Sequence, residues 1–88
     1  MRIDRLLFFL RLAKSRTLAQ ALVEQGHIRV DGKRLTKPSD EVRAGQTLAL
    51  PLRGEVRVIT LLALPTRRGP PAEARACYAE IDAGPAAT

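Results

Sequence analysis

The chain reads as an α+β domain, with two N-terminal helices packed on a small, twisted antiparallel sheet and a short helix or tail after it. Three observations predict this. Apolar residues recur at helical spacing in two segments before Gly26, the period changes to two after it, and Asp31-Gly32 sits between two short extended runs. A length of 88 residues holds one core and not two. A domain of this size buries roughly 60 to 65% of its unfolded surface and folds with little stability to spare.

In the first helix, Ile3, Leu6, Leu7 and Leu10 follow the i, i+3, i+4, i+7 spacing of one face, which predicts a helix from Ile3 to Ala13. Phe8, Phe9 and Leu12 fall on its other sides, so it has neighbours on more than one flank, and the two Phe read as core. Asp4 in the first turn suits the helix dipole. Lys14-Ser15-Arg16 interrupts the pattern, and Ser15 is placed to cap a second helix from Arg16 to about Gln25. Leu18, Ala19, Leu22 and Val23 form its apolar side. Arg16, Thr17, Gln20 and Glu24 share the opposite side, which is left free for a partner, and Gly26 supplies a left-handed stop.

Beyond Gly26, Ile28 and Val30 alternate with His27 and Arg29 ahead of Asp31-Gly32 and Lys33-Arg34-Leu35. A type I′ hairpin turn needs positive φ at both central residues, which Asp-Gly tolerates. Pro38 breaks this ladder and Ala44-Gly45 makes a further turn. Thr47 to Leu50 and Val56 to Leu64 read as strands. Pro65 to Pro71 reads as a linker, with a short helix from Ala72 to Ile81 and a disordered tail from Ala83. The expected organisation is therefore a domain over 1–64 and a linker with tail over 65–88.

The charge is unevenly spread. Through Lys37 nine Lys and Arg face three acids, whereas from Pro38 onward six face six, so the whole net charge of +6 belongs to the first part of the chain. Concentrated Lys and Arg suit a polyanion, because binding releases the counterions condensed on it. A single cysteine, Cys77, precludes an internal disulfide and paired-cysteine metal sites, and it fits a reducing, cytoplasmic setting. The apolar run Leu6 to Leu10 is too short for a secretory signal, and no segment is long enough to span a membrane.

Taken together, Arg2-Ile3-Asp4 with Leu7, Lys14-Ser15-Arg16 with Ala19, Gly26-His27-Ile28-Arg29-Val30-Asp31-Gly32, Lys37-Pro38-Ser39 and Val42-Arg43-Ala44-Gly45 form a specific order. It resembles the S4 RNA-binding domain over Arg2 to about Leu50. Within that family, the free-standing form with a charged tail looks most like the ribosome-associated heat-shock protein 15 group. Asp31 stands where Asn is commoner in the family, and Gln46 where Asp is usual. The resemblance implies an αL-type fold whose two helices and hairpin form an L-shaped basic surface on folded RNA. It also implies a role on the large ribosomal subunit in a stress response, with no enzymatic activity.

The residues support an RNA reading on their own terms. Ser15 and Arg16 open a helix, where free N–H groups and the positive dipole end favour a phosphate flanked by Lys14 and Arg16. Arg29, Lys33, Arg34 and Lys37 extend the track across the hairpin. Arg2, Arg5 and Arg11 from the first helix, Thr17 and Gln20 from the second, and Asp31 at the turn complete the candidate set. His27 reads either as a phosphate contact or as a surface side chain. Aromatics at 3% of the chain give no platform for stacking unpaired bases, so the expected partner is structured RNA, ribosomal RNA foremost. The protein is expected to act as a monomer, with no cofactor, metal or membrane. Two rival readings remain open: a DNA-binding regulator, since two short helices imitate a helix-turn-helix, and an RNA-binding accessory to a modification enzyme.

Overall fold

The computed structural model describes residues 1–52 and 54–81. The N-terminal helices are α1 (Ile3–Phe9) and α2 (Arg16–Glu24), followed by the short strands β1 (Arg29–Val30) and β2 (Lys33–Arg34). Then come β3 (Thr47–Leu52), β4 (Glu55–Leu61), the short helix α3 (Pro71–Arg75) and β5 (Tyr78–Ile81). The five strands form one antiparallel sheet in the order β2-β1-β3-β4-β5. The α+β class holds.

Ser15 caps α2 as the sequence predicts, its Oγ accepting the Leu18 N–H at 3.1 Å. Gly26 ends the helix with φ +77°, and Asp31 and Gly32 take φ of +51° and +84°, the two positive values a type I′ turn requires. Register follows: Arg29 faces Arg34 and Val30 faces Lys33 across the hairpin, while Val30 faces Leu48 on the other side.

The core is a helix layer on one sheet face. Ile3, Leu6, Leu7 and Leu10 meet Ala19, Val23 and Ile28, and these pack on Val30, Leu48, Leu50, Ile59 and Leu61. Leu48 pairs with Ile59, so the inward-facing residues of the two long strands stand side by side.

Five expectations about the elements are corrected. The first helix stops at Phe9 rather than Ala13, because Arg11 turns left-handed (φ +61°) and so lets Leu10 and Ala13 both face the core. Leu18 is half exposed; the packed residues of α2 are Ala19 and Val23, with Leu22 at the margin. Phe8 and Phe9 are only partly buried. The helix expected over Ala72 to Ile81 divides into α3 and β5, because Tyr78–Ile81 pairs with the edge of β4, whose backbone groups would otherwise lack partners. The strand expected to reach Leu64 ends at Leu61, after which the N–H groups of Leu62 and Ala63 both donate to the Cys77 carbonyl. The tail expected from Ala83 lies outside the described residues.

Candidate nucleic-acid interface

The site grows from one buried carboxylate. Asp4 is 0% exposed, an uncommon place for a charge unless it is paired. It accepts from Arg2 Nε and Nη2, from Arg16 Nη2 at 3.0 Å, from Gln20 Nε2 at 3.2 Å and from the Arg5 N–H at 2.7 Å. Arg16 and Gln20 lie one turn apart on α2, so a single group on α1 ties down the polar side of the second helix. Burial pushes the Asp4 carboxyl up, but the hydrogen bonds from Arg16, Gln20, the Arg5 backbone and Arg2 together outweigh it and hold the group below the ordinary carboxylate range.

Two guanidiniums share this one negative charge, and their side chains remain 43% and 40% exposed for Arg2 and Arg16. The cluster is thus positive overall and open to solvent on its cationic side. Arg16 Nε is buried with no partner among the described residues, so not every N–H of the fork is satisfied within the cluster. Ser15 takes the N–H groups of Leu18 and Ala19, while those of Arg16 and Thr17 have no protein partner among the described residues. That leaves the start of α2 able to receive an anion.

The loop that carries Lys37 is fastened to the same place. Asp40 Oδ2 accepts from the N–H groups of Thr36 and Lys37, and the carbonyls of Pro38 and Asp40 accept from the N–H groups of Asp4 and Ile3. The hairpin lies beside the end of α2, where a Cβ added at Gly26 would be 3.6 Å from Arg34 Cδ. Asp31 anchors the turn rather than facing outward alone: its Oδ1 accepts the Thr47 N–H at 2.9 Å. Arg29, Lys33 and Arg34 are exposed and form no ion pair among the described residues. Arg29 and Arg34 stand directly opposite each other, a like-charge pair that costs stability in the absence of a counterion.

The fold therefore gathers Arg2, Arg16 and Gln20 on Asp4, sets Ser15 and Thr17 at the helix start and ties the Lys37 loop to α1, while Arg34 of the hairpin lies beside Gly26 at the other end of α2. Arg5, Lys14 and His27 are exposed and without an ion pair among the described residues. Arg11 stands apart from this cluster, because its Nε donates to the Gly69 carbonyl at 2.6 Å, on the C-terminal segment. Sequence reasoning missed the hub itself by reading Asp4 as a dipole residue. A signal was present, since Asp4 stands at i, i+3 to the core residue Leu7, too close to the apolar face for a solvated charge.

The S4 domain family model matches residues 1–48. The chain belongs to the S4 domain family. An S4 domain implies RNA binding, and the matched residues contain the Asp4 cluster, the α2 start and the hairpin. The chain is 54% identical over 54 residues to small ribosomal subunit protein uS4 of Lacticaseibacillus casei (strain BL23), an alignment spanning 61% of this chain and 27% of that protein. To uS4 of Oenococcus oeni it is 44% identical over 61 residues, 69% of this chain and 29% of the relative. The chain thus spans little more than a quarter of the length of the curated relatives it matches. Among solved structures it is similar to the trimeric structure of Vibrio cholerae Heat Shock Protein 15, with a TM-score of 0.86 and 31% identity over 92% of this chain and 81% of that one. The solution structure of a hypothetical protein, HP1423, gives a TM-score of 0.75 at 30% identity, covering 92% of this S4 chain and 96% of that chain. The resemblance to the heat-shock protein 15 group read from the sequence stands. Among the described residues no helix is long and apolar enough to cross a membrane.

Proposed function

We propose that this S4 protein binds structured ribosomal RNA of the large subunit without catalysis, gripping phosphates with the α1–α2 face and the hairpin. The observation that carries the reading is the set of exposed cations Arg29, Lys33 and Arg34, without an ion pair among the described residues, on the same matched domain as the Asp4-ordered pair Arg2 and Arg16. A polyanion relieves the Arg29–Arg34 repulsion and meets a fork already held in place, so little side-chain freedom is lost on binding. The large subunit is the target that the resemblance to the heat-shock protein 15 group implies, and the likeness to Vibrio cholerae Heat Shock Protein 15 extends over 92% of the chain. The cytoplasm is the compartment this partner implies. Action as a monomer is the sequence-based expectation, and the trimeric state of the Vibrio cholerae relative is the alternative for this chain.

The experiment is a binding titration of the full chain with large-subunit RNA fragments, small-subunit fragments and DNA duplexes of matching sequence. With roughly four to six phosphates contacted, log affinity falls against log salt with a slope of about −3 to −5. Arg16→Ala and Lys33→Ala weaken binding of many structured RNAs alike, since phosphates carry no sequence information. Equal affinity for DNA favours the regulator reading, preference for small-subunit fragments moves the target, and a slope near zero removes the basic face as the interface. Co-purification of a modification enzyme would favour the accessory reading.

A further inference from the structure

A second cationic site lies largely beyond the residues matched by the family, with only Leu10, Arg11 and Leu12 of its lining falling within them. The end of α1, the strands β3 and β4, helix α3 and the start of β5 enclose a cleft of about 310 Å³, at the lower end of the size range of small-ligand sites. Arg11, Arg57, Arg75 and Tyr78 line it together with an apolar lining that includes Leu10, Leu12 and Leu52.

The three arginines are not equally available. Arg57 is committed, its Nε and Nη2 donating to the two oxygens of Glu80. Arg11 uses Nε on the Gly69 carbonyl, which leaves its terminal nitrogens for another acceptor. Arg75 is exposed and has no ion pair among the described residues. Glu80 is consumed by Arg57 and Glu73 by Arg67, so neither neutralises Arg11 or Arg75. Among the described residues Arg11 is also one of two non-glycine residues with positive φ, an unfavourable backbone found where the guanidinium reaches this cleft.

Two guanidinium forks lining one cleft suit the oxygens of a phosphate, and a phenol ring in the same lining suits the sugar or base attached to it. We infer that this cleft binds the phosphoryl group of a nucleotide, with Arg75 and the terminal nitrogens of Arg11 holding the oxygens and Tyr78 beside the nucleoside. The phosphate comes either from an RNA strand already on the α1–α2 and hairpin face or from a free nucleotide. The site stands on its own geometry, and only its RNA source rests on the proposed function.

Tyr78 is the only tyrosine and there is no tryptophan, so its ring resonances report on the cleft without overlap. The test follows the Arg Nε–Hε and Tyr78 ring signals of the full isotope-labelled chain by NMR during addition of inorganic phosphate, uridine 5′-monophosphate and an RNA hairpin. It is run on the wild type, Arg75→Gln and Arg16→Ala. The expected result is movement of the Arg11, Arg75 and Tyr78 signals with the mononucleotide, weakened about tenfold in Arg75→Gln while its backbone spectrum stays folded. Arg16→Ala leaves the mononucleotide effect intact. Movement with the hairpin that is lost in Arg16→Ala assigns the phosphate to bound RNA, and movement with the mononucleotide alone assigns it to a free nucleotide. The inference is overturned if none of the three probes moves these signals, or if Arg75→Gln responds as strongly as wild type. Failure of the helix and hairpin reading is seen separately, as unchanged RNA affinity in Arg16→Ala.

Discussion

The two halves of the proposed RNA-binding surface hold their cations in opposite ways. Around Asp4, arginines converge on a fully buried carboxylate and are fixed by it; on the hairpin, Arg29 and Arg34 face each other with no acid among the described residues. The first arrangement couples stability to binding, since the group that orients Arg16 also pins α1 to α2. The second largely separates them, since Arg29 and Arg34 meet the rest of the fold only at the Gly32 carbonyl and beside Gly26, away from the buried core. A small domain thus contains both a preorganised fork and a reserve of uncompensated charge, and substitutions tell the two apart.

The largest effect is expected for Asp4→Ala. Removing the carboxylate takes away the acceptor of five hydrogen bonds from Arg2, Arg5, Arg16 and Gln20; at about 1 kcal/mol net for each, less where the arginines reach water, the loss sums to about 3 to 5 kcal/mol. That is a large share of what a domain of this size has. Denaturant unfolding should show it, and RNA affinity should fall with it because Arg16 and Arg2 lose their orientation. An Asp4→Ala protein as stable as wild type would mean the cluster is not a structural unit.

Core truncation sharpens the same contrast from the other side. Leu7→Ala, at a position 0% exposed, should cost about 2 to 5 kcal/mol, and Leu22→Ala at the margin of the core should cost less. Neither should change the salt slope of RNA binding in protein that remains folded, and a changed slope would tie the phosphate contacts to the core.

Acid titration distinguishes the halves next. The folded-state pKa of Asp4 lies below its ordinary value, so its contribution is fully present above that value and is lost as pH falls through the folded one. Stability should therefore be insensitive to this group between about pH 6 and 8 and decline below about pH 4. Asp4→Asn should show a shallower acid limb, while Arg29 and Arg34 variants keep the wild-type shape.

Arg68→Ala probes the C-terminal clasp on α1. Arg68 Nε donates to the Phe8 carbonyl at 3.0 Å and the guanidinium lies 4.6 Å from the Phe8 ring centroid. Its loss should cost about 1 to 2 kcal/mol in thermal unfolding and leave RNA affinity unchanged. The smallest stability effect belongs to the double variant Arg29→Ala, Arg34→Ala. Relief of the cross-strand repulsion should stabilise by about 0.2 to 1 kcal/mol. RNA affinity should meanwhile fall and the salt slope lose roughly 1.4 to 1.8 for two phosphates. Destabilisation of this variant would erase the distinction between fork and reserve.

Much of the fold was legible because its signals are local. Ser15 caps, Gly26 stops and Asp31-Gly32 turns through their own backbone preferences, whatever packs around them. The left-handed turn at Arg11 was not legible, because an arginine there is intrinsically unfavourable and is held by Gly69, far along the chain. The strand Tyr78–Ile81 escaped for the same kind of reason: its sequence is compatible with a short helix, and only the open edge of β4 selects extension.

The sequence by itself determined the two helices, the hairpin with its register, the basic first half and the S4 resemblance, since each rests on residues adjacent or periodic along the chain. Tertiary structure alone decided which cations are ordered and which are free. Arg16 and Gln20 join Arg2 on Asp4 only when α1 and α2 pack, and Arg11 meets the Gly69 carbonyl only when the C-terminal segment folds back. Charge is a property of composition, whereas the acceptor a guanidinium finds depends on distances that form only once the core has closed.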